Sequence, residues 1–408
     1  MVITFVSNYI NHHQLPFCRA MSALEDVEFH FIQTMPMEQK RVEMGWAVDV
    51  SGFPFVSLLY EEREKCENLI LDSDVTIFGW TEGSIEDLEE KRLSSGKLSF
   101  RVSERIYREG QWKFISPKGL IHKYHEHIKY RKEPVYLLCA GAYVASDFAL
   151  IHSYPGKMLK WGYFPEGRAA GEKRDGSKDQ NSEQQIASEP LRKVRILWAG
   201  RLIDLKHPEF AVEVARTLSE NGYDFEMSIV GDGPKKEELS SLISKYGLES
   251  SVTLTGGKKP AQVLEDMEKA DVFLFTSNYL EGWGAVVNEA MSCGCCVVAS
   301  KEAGAVPFLI EDGVNGLTYS DGSLEDLKRK VLKLFEDKKA MESMAVAGKR
   351  TIEQLWNADN AARQLLRFCK EFYDGKSPKP CEKGPVSIAD VIKAPGIFRT
   401  MNEKNVLE

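Results

Sequence analysis

The stretch that most restricts what this chain can become is residues 271–300, DVFLFTSNYLEGWGAVVNEAMSCGCCVVAS. Val272 to Phe275 is a short, wholly apolar run, the pattern of a strand covered on both faces. A loop holding Glu281-Gly282-Trp283-Gly284 follows, then a helical segment through Ala285, Val286, Glu289, Ala290 and Met291, then a second apolar run, Cys296 to Ala299. That order is a strand–loop–helix–strand unit of a parallel sheet. Glycines stand where the loop turns into the helix. Unpaired amides at such a start carry partial positive charge, so the place suits a phosphate. Glu281 precedes the helix and Glu289 lies within it.

The same alternation runs through most of the chain. Strands are expected at Val2–Val6, Phe29–Gln33, Val75–Trp80, Leu98–Val102, Tyr136–Cys139 and Met158–Phe164, and again at Val194–Trp198, Phe225–Val230 and Val252–Leu254. Strands alternating with helical patterns predict doubly wound α/β domains, and 408 residues exceed one ordinary core. Two domains are expected, at 1–166 and 191–356. Between them, residues 167–190 have Ile186 as their only large aliphatic side chain, too little to bury, so they read as a flexible polar linker or loop. Residues 375–408 carry Pro378, Pro380, Pro385 and Pro395 among many charges and read as a loosely attached tail.

A net charge of −8 argues against bulk nucleic-acid binding. No apolar run is long enough to span a bilayer, and the start, MVITFVSNYI, reads as a first strand and lacks a basic leader. A cytoplasmic protein is the expectation. Cys293, Cys295 and Cys296 crowd together, but neighbouring strand residues face opposite ways, so buried small hydrophobes are expected there, not a metal or redox centre.

Ligands of open α/β sheets gather past the carboxyl ends of strands. Three such loops hold chemistry: Ser7 to Gln14 with His12 and His13, Ser103-Glu104-Arg105, and Gly200-Arg201-Leu202 running on to Lys206. Arginine offers a planar fork of donors and lysine a point charge, a pair suited to phosphate. A dehydrogenase is excluded, because no GxGxxG follows the first strand. A glycosidase is disfavoured: eight helical steps between Glu281 and Glu289 would be about 12 Å, beyond the roughly 9.5 Å of paired hydrolase carboxylates.

Glu281-Gly-Trp-Gly, Asn288-Glu289-Ala290-Met291 and Cys293-Gly294 together resemble the nucleotide-sugar motif of the family 4 retaining glycosyltransferases. The resemblance is strong over 194–373. In the first half, SNYINHHQ and the GW pair look like capsular-polysaccharide and lipopolysaccharide glycosyltransferases. It implies the GT-B architecture, two Rossmann-like domains facing across a cleft. It implies transfer of a sugar from a UDP-, GDP- or ADP-sugar to a hydroxyl of a glycan or lipid-linked acceptor, with retention and without a metal. By resemblance Arg201, Lys206 and the amides near Trp283 and Gly284 meet the diphosphate, Glu281 the sugar and Glu289 the ribose. Gly200, Gly256, Lys258, Gly282 and Ala285 complete the donor site. Relatives often carry a cleft histidine where this chain has Ser103 or Glu104, so Glu104, His12 and His13 are the first-domain catalytic candidates. The helix 357–374 is expected to cross back to the first domain. The alternatives are an inactive partner subunit, or another GT-B enzyme such as a sugar-nucleotide epimerase.

Residues 105–132 hold eight Lys or Arg against Glu109 and Glu126, with Tyr107, Trp112, Phe114, Tyr124 and Tyr130 interleaved. Ile121, Tyr124 and Ile128 fall on one face of a helix expected over 119–131, and His122, His125 and His127 would add charge in mild acid. Such a segment suits peripheral contact with an anionic membrane surface on the inner face.

Overall fold

The computed structural model describes residues 1–39, 48–166, 192–320 and 322–395. The first domain has strands β1 (Val2–Ser7), β2 (Glu28–Gln33), β3 (Val56–Leu58), β4 (Val75–Phe78), β5 (Ser99–Ser103), β6 (Val135–Ala140) and β7 (Met158–Trp161). They form one sheet, ordered β3-β2-β1-β4-β5-β6-β7, with every pairing parallel. The second has β8 (Val194–Ala199), β9 (Phe225–Val230), β10 (Val252–Gly256), β11 (Val272–Phe275), β12 (Cys296–Ser300) and β13 (Leu317–Tyr319), ordered β10-β9-β8-β11-β12-β13 and again parallel. Two Rossmann-like sheets joined in this way are the GT-B architecture. The three-residue β3 and β13 went unread in the sequence because neither is long enough to show a period.

The apolar runs are continuous because both faces of each sheet are covered. In β11 and β12, Phe273, Phe275, Val297 and Ala299 join a core that reaches into the first domain, while Val272, Leu274, Cys296 and Val298 join the core on the opposite face. Cys293 and Cys295 lie in the former and Cys296 in the latter. Burial pushes the Cys296 thiol up to about 12, and no cluster able to hold a metal occurs among the described residues.

The helix Ala358–Tyr373, capped by Asn357, lies on the first domain. Its Phe368 meets Phe100 and Tyr136 at ring separations of 6.0 and 5.0 Å, and Lys370 bonds Asp26 at 2.6 Å. The proposed linker, 167–190, lies outside the described residues, as does the tail beyond 395. Residues 381–394 are not loose. Val386 donates to the Lys160 carbonyl at 2.8 Å, Lys160 to Ser387 at 2.7 Å and Ala389 to Met158 at 3.0 Å, which places the tail antiparallel along β7. The open edge of a sheet presents unpaired backbone groups, and this segment satisfies several of them.

The domains meet closely at their facing loops. A Cβ on Gly162 of the first domain would stand 2.2 Å from the Trp283 indole of the second, and within the second domain one on Gly304 would stand 1.7 Å from the Gly282 carbonyl, so only glycine permits either approach. Ala142 donates to the Gly304 carbonyl at 2.8 Å and Tyr143 to that of Lys301 at 2.8 Å.

Candidate active site

The loop after β11 is tied to the turn after β8. Trp198 donates to the Thr276 hydroxyl at 2.7 Å, that hydroxyl to the Lys206 carbonyl at 2.6 Å, and the Asn278 amide to Leu205 at 2.9 Å. This lacing brings the Lys206 ammonium onto the Glu281 carboxylate as an ion pair, each side chain about five-sixths buried. Burial pushes the Glu281 carboxyl up, but Lys206, a hydrogen bond from Ser277 and the nearby Arg108 guanidinium outweigh it and hold the group below its ordinary range. Glu281 is therefore ionised at neutral pH.

Glu289 lies on the helix Val286–Ser292, half-buried, and burial pushes its carboxyl up to about 7. Glu281 sits in the loop five residues before that helix, so the distance worked from helical rise does not apply to the pair. Trp283 is buried; its indole donates to Asn288 at 2.8 Å and Asn288 donates to the Tyr163 carbonyl at 3.4 Å. Its side chain thus anchors the seam. Gly284, at φ +89°, covers the Phe275 ring, and Ala285 precedes the first helical turn. Arg201 is exposed beside Gly200 on the same turn as Lys206. Gly256 accepts from the Gly231 amide at 2.9 Å. Lys258 is held by Asp266 at 2.6 Å.

In the first domain, Glu104 is pressed onto the second: a Cβ on Gly282 would lie 2.5 Å from its carboxylate. Glu104 pairs with Arg108 and accepts from the Tyr163 hydroxyl at 2.8 Å. Arg105 turns elsewhere, into a buried pair with Asp147 at 3.1 Å, so Glu104 and Arg105 are not each other's partners. Asp147 also accepts from the Tyr107 amide at 2.9 Å and Gln111 at 2.8 Å, which fixes the chain after β5. His12 and His13 lie with ring centroids 3.9 Å apart, and His13 stacks on Tyr163 at 5.8 Å. Burial lowers both imidazoles, that of His13 to about 3 with His12 adding to it, so they stand neutral. Glu104, Lys206, Glu281, Gly282 and Trp283 thus converge, and His13 joins them through Tyr163. Arg108 and Tyr163 were not singled out in the sequence. Arg108 lay hidden in the basic 105–132 segment, and Tyr163 follows a strand from the far end of the sheet.

Residues 179–351 match the family model Glycosyl transferases group 1. The amylovoran biosynthesis glycosyltransferase AmsK of Erwinia amylovora is 32% identical over 180 residues, 43% of this chain and 44% of that one. An alpha-D-kanosaminyltransferase of Streptomyces kanamyceticus is 31% identical over 150 residues, 37% of this chain and 38% of that one. The chain spans under half the length of these curated relatives. The structure of Anabaena HepE in complex with UDP superposes with a TM-score of 0.63 at 15% identity, covering 92% of this chain and 100% of that one. The lipopolysaccharide outer core galactosyltransferase WaaB does so at 0.60 and 16%, covering 92% and 98%. These likenesses are ones of fold.

Proposed function

We propose that this protein is a retaining glycosyltransferase that moves a hexosyl unit from a nucleoside-diphosphate sugar to a glycan or lipid-linked acceptor in cell-surface polysaccharide synthesis. The observation that carries the reading is the Lys206–Glu281 pair on the glycine loop between two Rossmann-like domains. Breaking the anomeric bond leaves negative charge on the diphosphate and positive character on the sugar. Lys206, with Arg201 on the same turn, supplies cations to the leaving group, which is why the reading needs no divalent metal. A diphosphate competes with Glu281 for Lys206 and frees an ionised carboxylate to accept sugar hydroxyls. Held in that way, Glu281 is a hydrogen-bond acceptor and not a nucleophile. Glu289 would take the ribose. The match over 179–351 and the relatives named for polysaccharide synthesis support the same reading.

Peripheral membrane contact belongs to the same proposal, in a revised form. The expected helix ends at Glu126, and His127 is buried against Tyr154 at 3.0 Å; burial, with Arg101 next, keeps it neutral, so it adds no charge in acid. Lys123 and Lys129 are paired with Glu126 and Glu90. Outward lie the apolar Trp112, Ile115, Ile121 and Tyr124, interspersed with Lys118, His122, His125, Arg131 and Lys132. Among the described residues no helix is long and apolar enough to cross a membrane.

The test is a thermal-shift screen of UDP-, GDP- and ADP-sugars, followed by assay of slow hydrolysis of the best binder. A ligand at 100 times its dissociation constant adds about 2.7 kcal/mol. Lys206→Ala should cut turnover by about 10²–10³. No stabilisation by any sugar nucleotide, or full activity in that variant, would overturn the reading.

A further inference from the structure

Resting on the donor reading above, we infer that Arg108 and Glu104, with Tyr163, form the first domain's half of the pocket that reads the transferred sugar. Opposite charges alternate across the seam. Lys206 holds Glu281, Arg108 lies close enough to help lower Glu281, and Arg108 in turn holds Glu104. Tyr163 donates to the other Glu104 oxygen at 2.8 Å, and burial with Glu104 and Glu281 beside it keeps the phenol protonated. A diphosphate is a poor match for a guanidinium flanked by two carboxylates, because the acids repel it. Sugar hydroxyls, which both donate and accept, match such an alternation, and charge-assisted bonds are the stronger kind. Partly exposed rings adjoin this cluster. The Tyr163 ring has His13 at 5.8 Å and Trp80 at 6.0 Å beside it, with the buried Trp283 at 6.1 Å behind. Amphipathic rings beside paired charges suit a pyranose, whose C–H faces are apolar and whose rim is polar.

Position supports this division of labour. The Glu104 carboxylate rests on Gly282, next in sequence to the proposed sugar-holding Glu281, and any side chain at 282 would displace it. Lys206 reaches the pair from β8, so the two domains approach Glu281 with one cation each. Each cation has its own duty in this scheme: Lys206 the diphosphate, Arg108 the glycosyl ring.

The experiment titrates Arg108→Ala, Glu104→Gln and Tyr163→Phe by calorimetry, first with UDP, GDP and ADP, then with UDP-glucose, GDP-mannose and ADP-glucose. Tyr163→Phe keeps the ring and deletes only the hydroxyl, so it reads out even where Arg108→Ala fails to fold. Expected is an approximately 10- to 100-fold loss for the sugar nucleotide in Arg108→Ala and Glu104→Gln, the range for a hydrogen bond to a charged group, with the free diphosphate within about twofold of wild type. Equal losses for diphosphate and sugar nucleotide would assign Arg108 to the phosphate and overturn the inference. Unchanged affinity for both in all three variants would overturn it too. Failure of wild type to bind any of the six probes would instead remove the donor reading, and this inference with it.

Discussion

Glu289→Gln should stabilise the ligand-free protein and at the same time weaken nucleotide binding. Burial raises the Glu289 carboxyl from 4.5 to about 7. Below pH 4.5 the folded and unfolded chains both hold the proton, and the group contributes nothing. Between 4.5 and 7 the unfolded chain releases it while the folded one keeps it, so stability falls as pH rises. Above 7 the full cost is present. At 1.36 kcal/mol per tenfold, that cost is at most about 3 kcal/mol, and the carboxylate's partial exposure reduces it to roughly half. Glutamine, neutral throughout, escapes the penalty. Calorimetric melting at pH 5, 6, 7 and 8 should show the variant gaining on wild type with each step, by about 1–3 °C at pH 8. Nucleoside diphosphate affinity of wild type should rise roughly tenfold from pH 6 to 8 as the carboxylate ionises, and the variant should be weaker and flat. A difference in melting temperature that stays constant from pH 5 to 8 would refute the reasoning, because Glu289 would then titrate as an ordinary carboxyl.

Gly162→Ala sets a methyl 2.2 Å from the Trp283 indole, so it should cost at least about 1–3 kcal/mol in chemical denaturation; an unchanged midpoint would show that the seam is not packed as described. Arg105→Ala leaves the buried Asp147 without its cation and should cost about 3–5 kcal/mol, whereas a loss under 1 kcal/mol would deny the pair its role in fixing the chain after β5. In co-sedimentation with anionic vesicles, Ile121→Ser with Tyr124→Ser should lower recovery, and so should Lys118→Glu. Equal recovery of all forms with neutral and anionic vesicles would remove the membrane proposal.

Much of the molecule was written in local pattern. Runs such as Val272–Phe275 and Cys296–Ala299 announced parallel strands because a sheet covered on both faces needs apolar side chains at every position. Glu281, Lys206 and Glu104 could be singled out because each stands just past a strand end, where such sheets gather ligands. What tertiary structure alone decided is which of these groups touch. Lys206 meets Glu281 through contacts between segments about seventy residues apart, and Tyr163 reaches Glu104 from the end of another strand. Lys258 turned to Asp266, Arg105 to Asp147 and His127 into the core, each for a partner that spacing does not reveal. The tail misled for a related reason: prolines and charges argue against a core, but an open strand edge asks only for backbone groups, which any sequence carries.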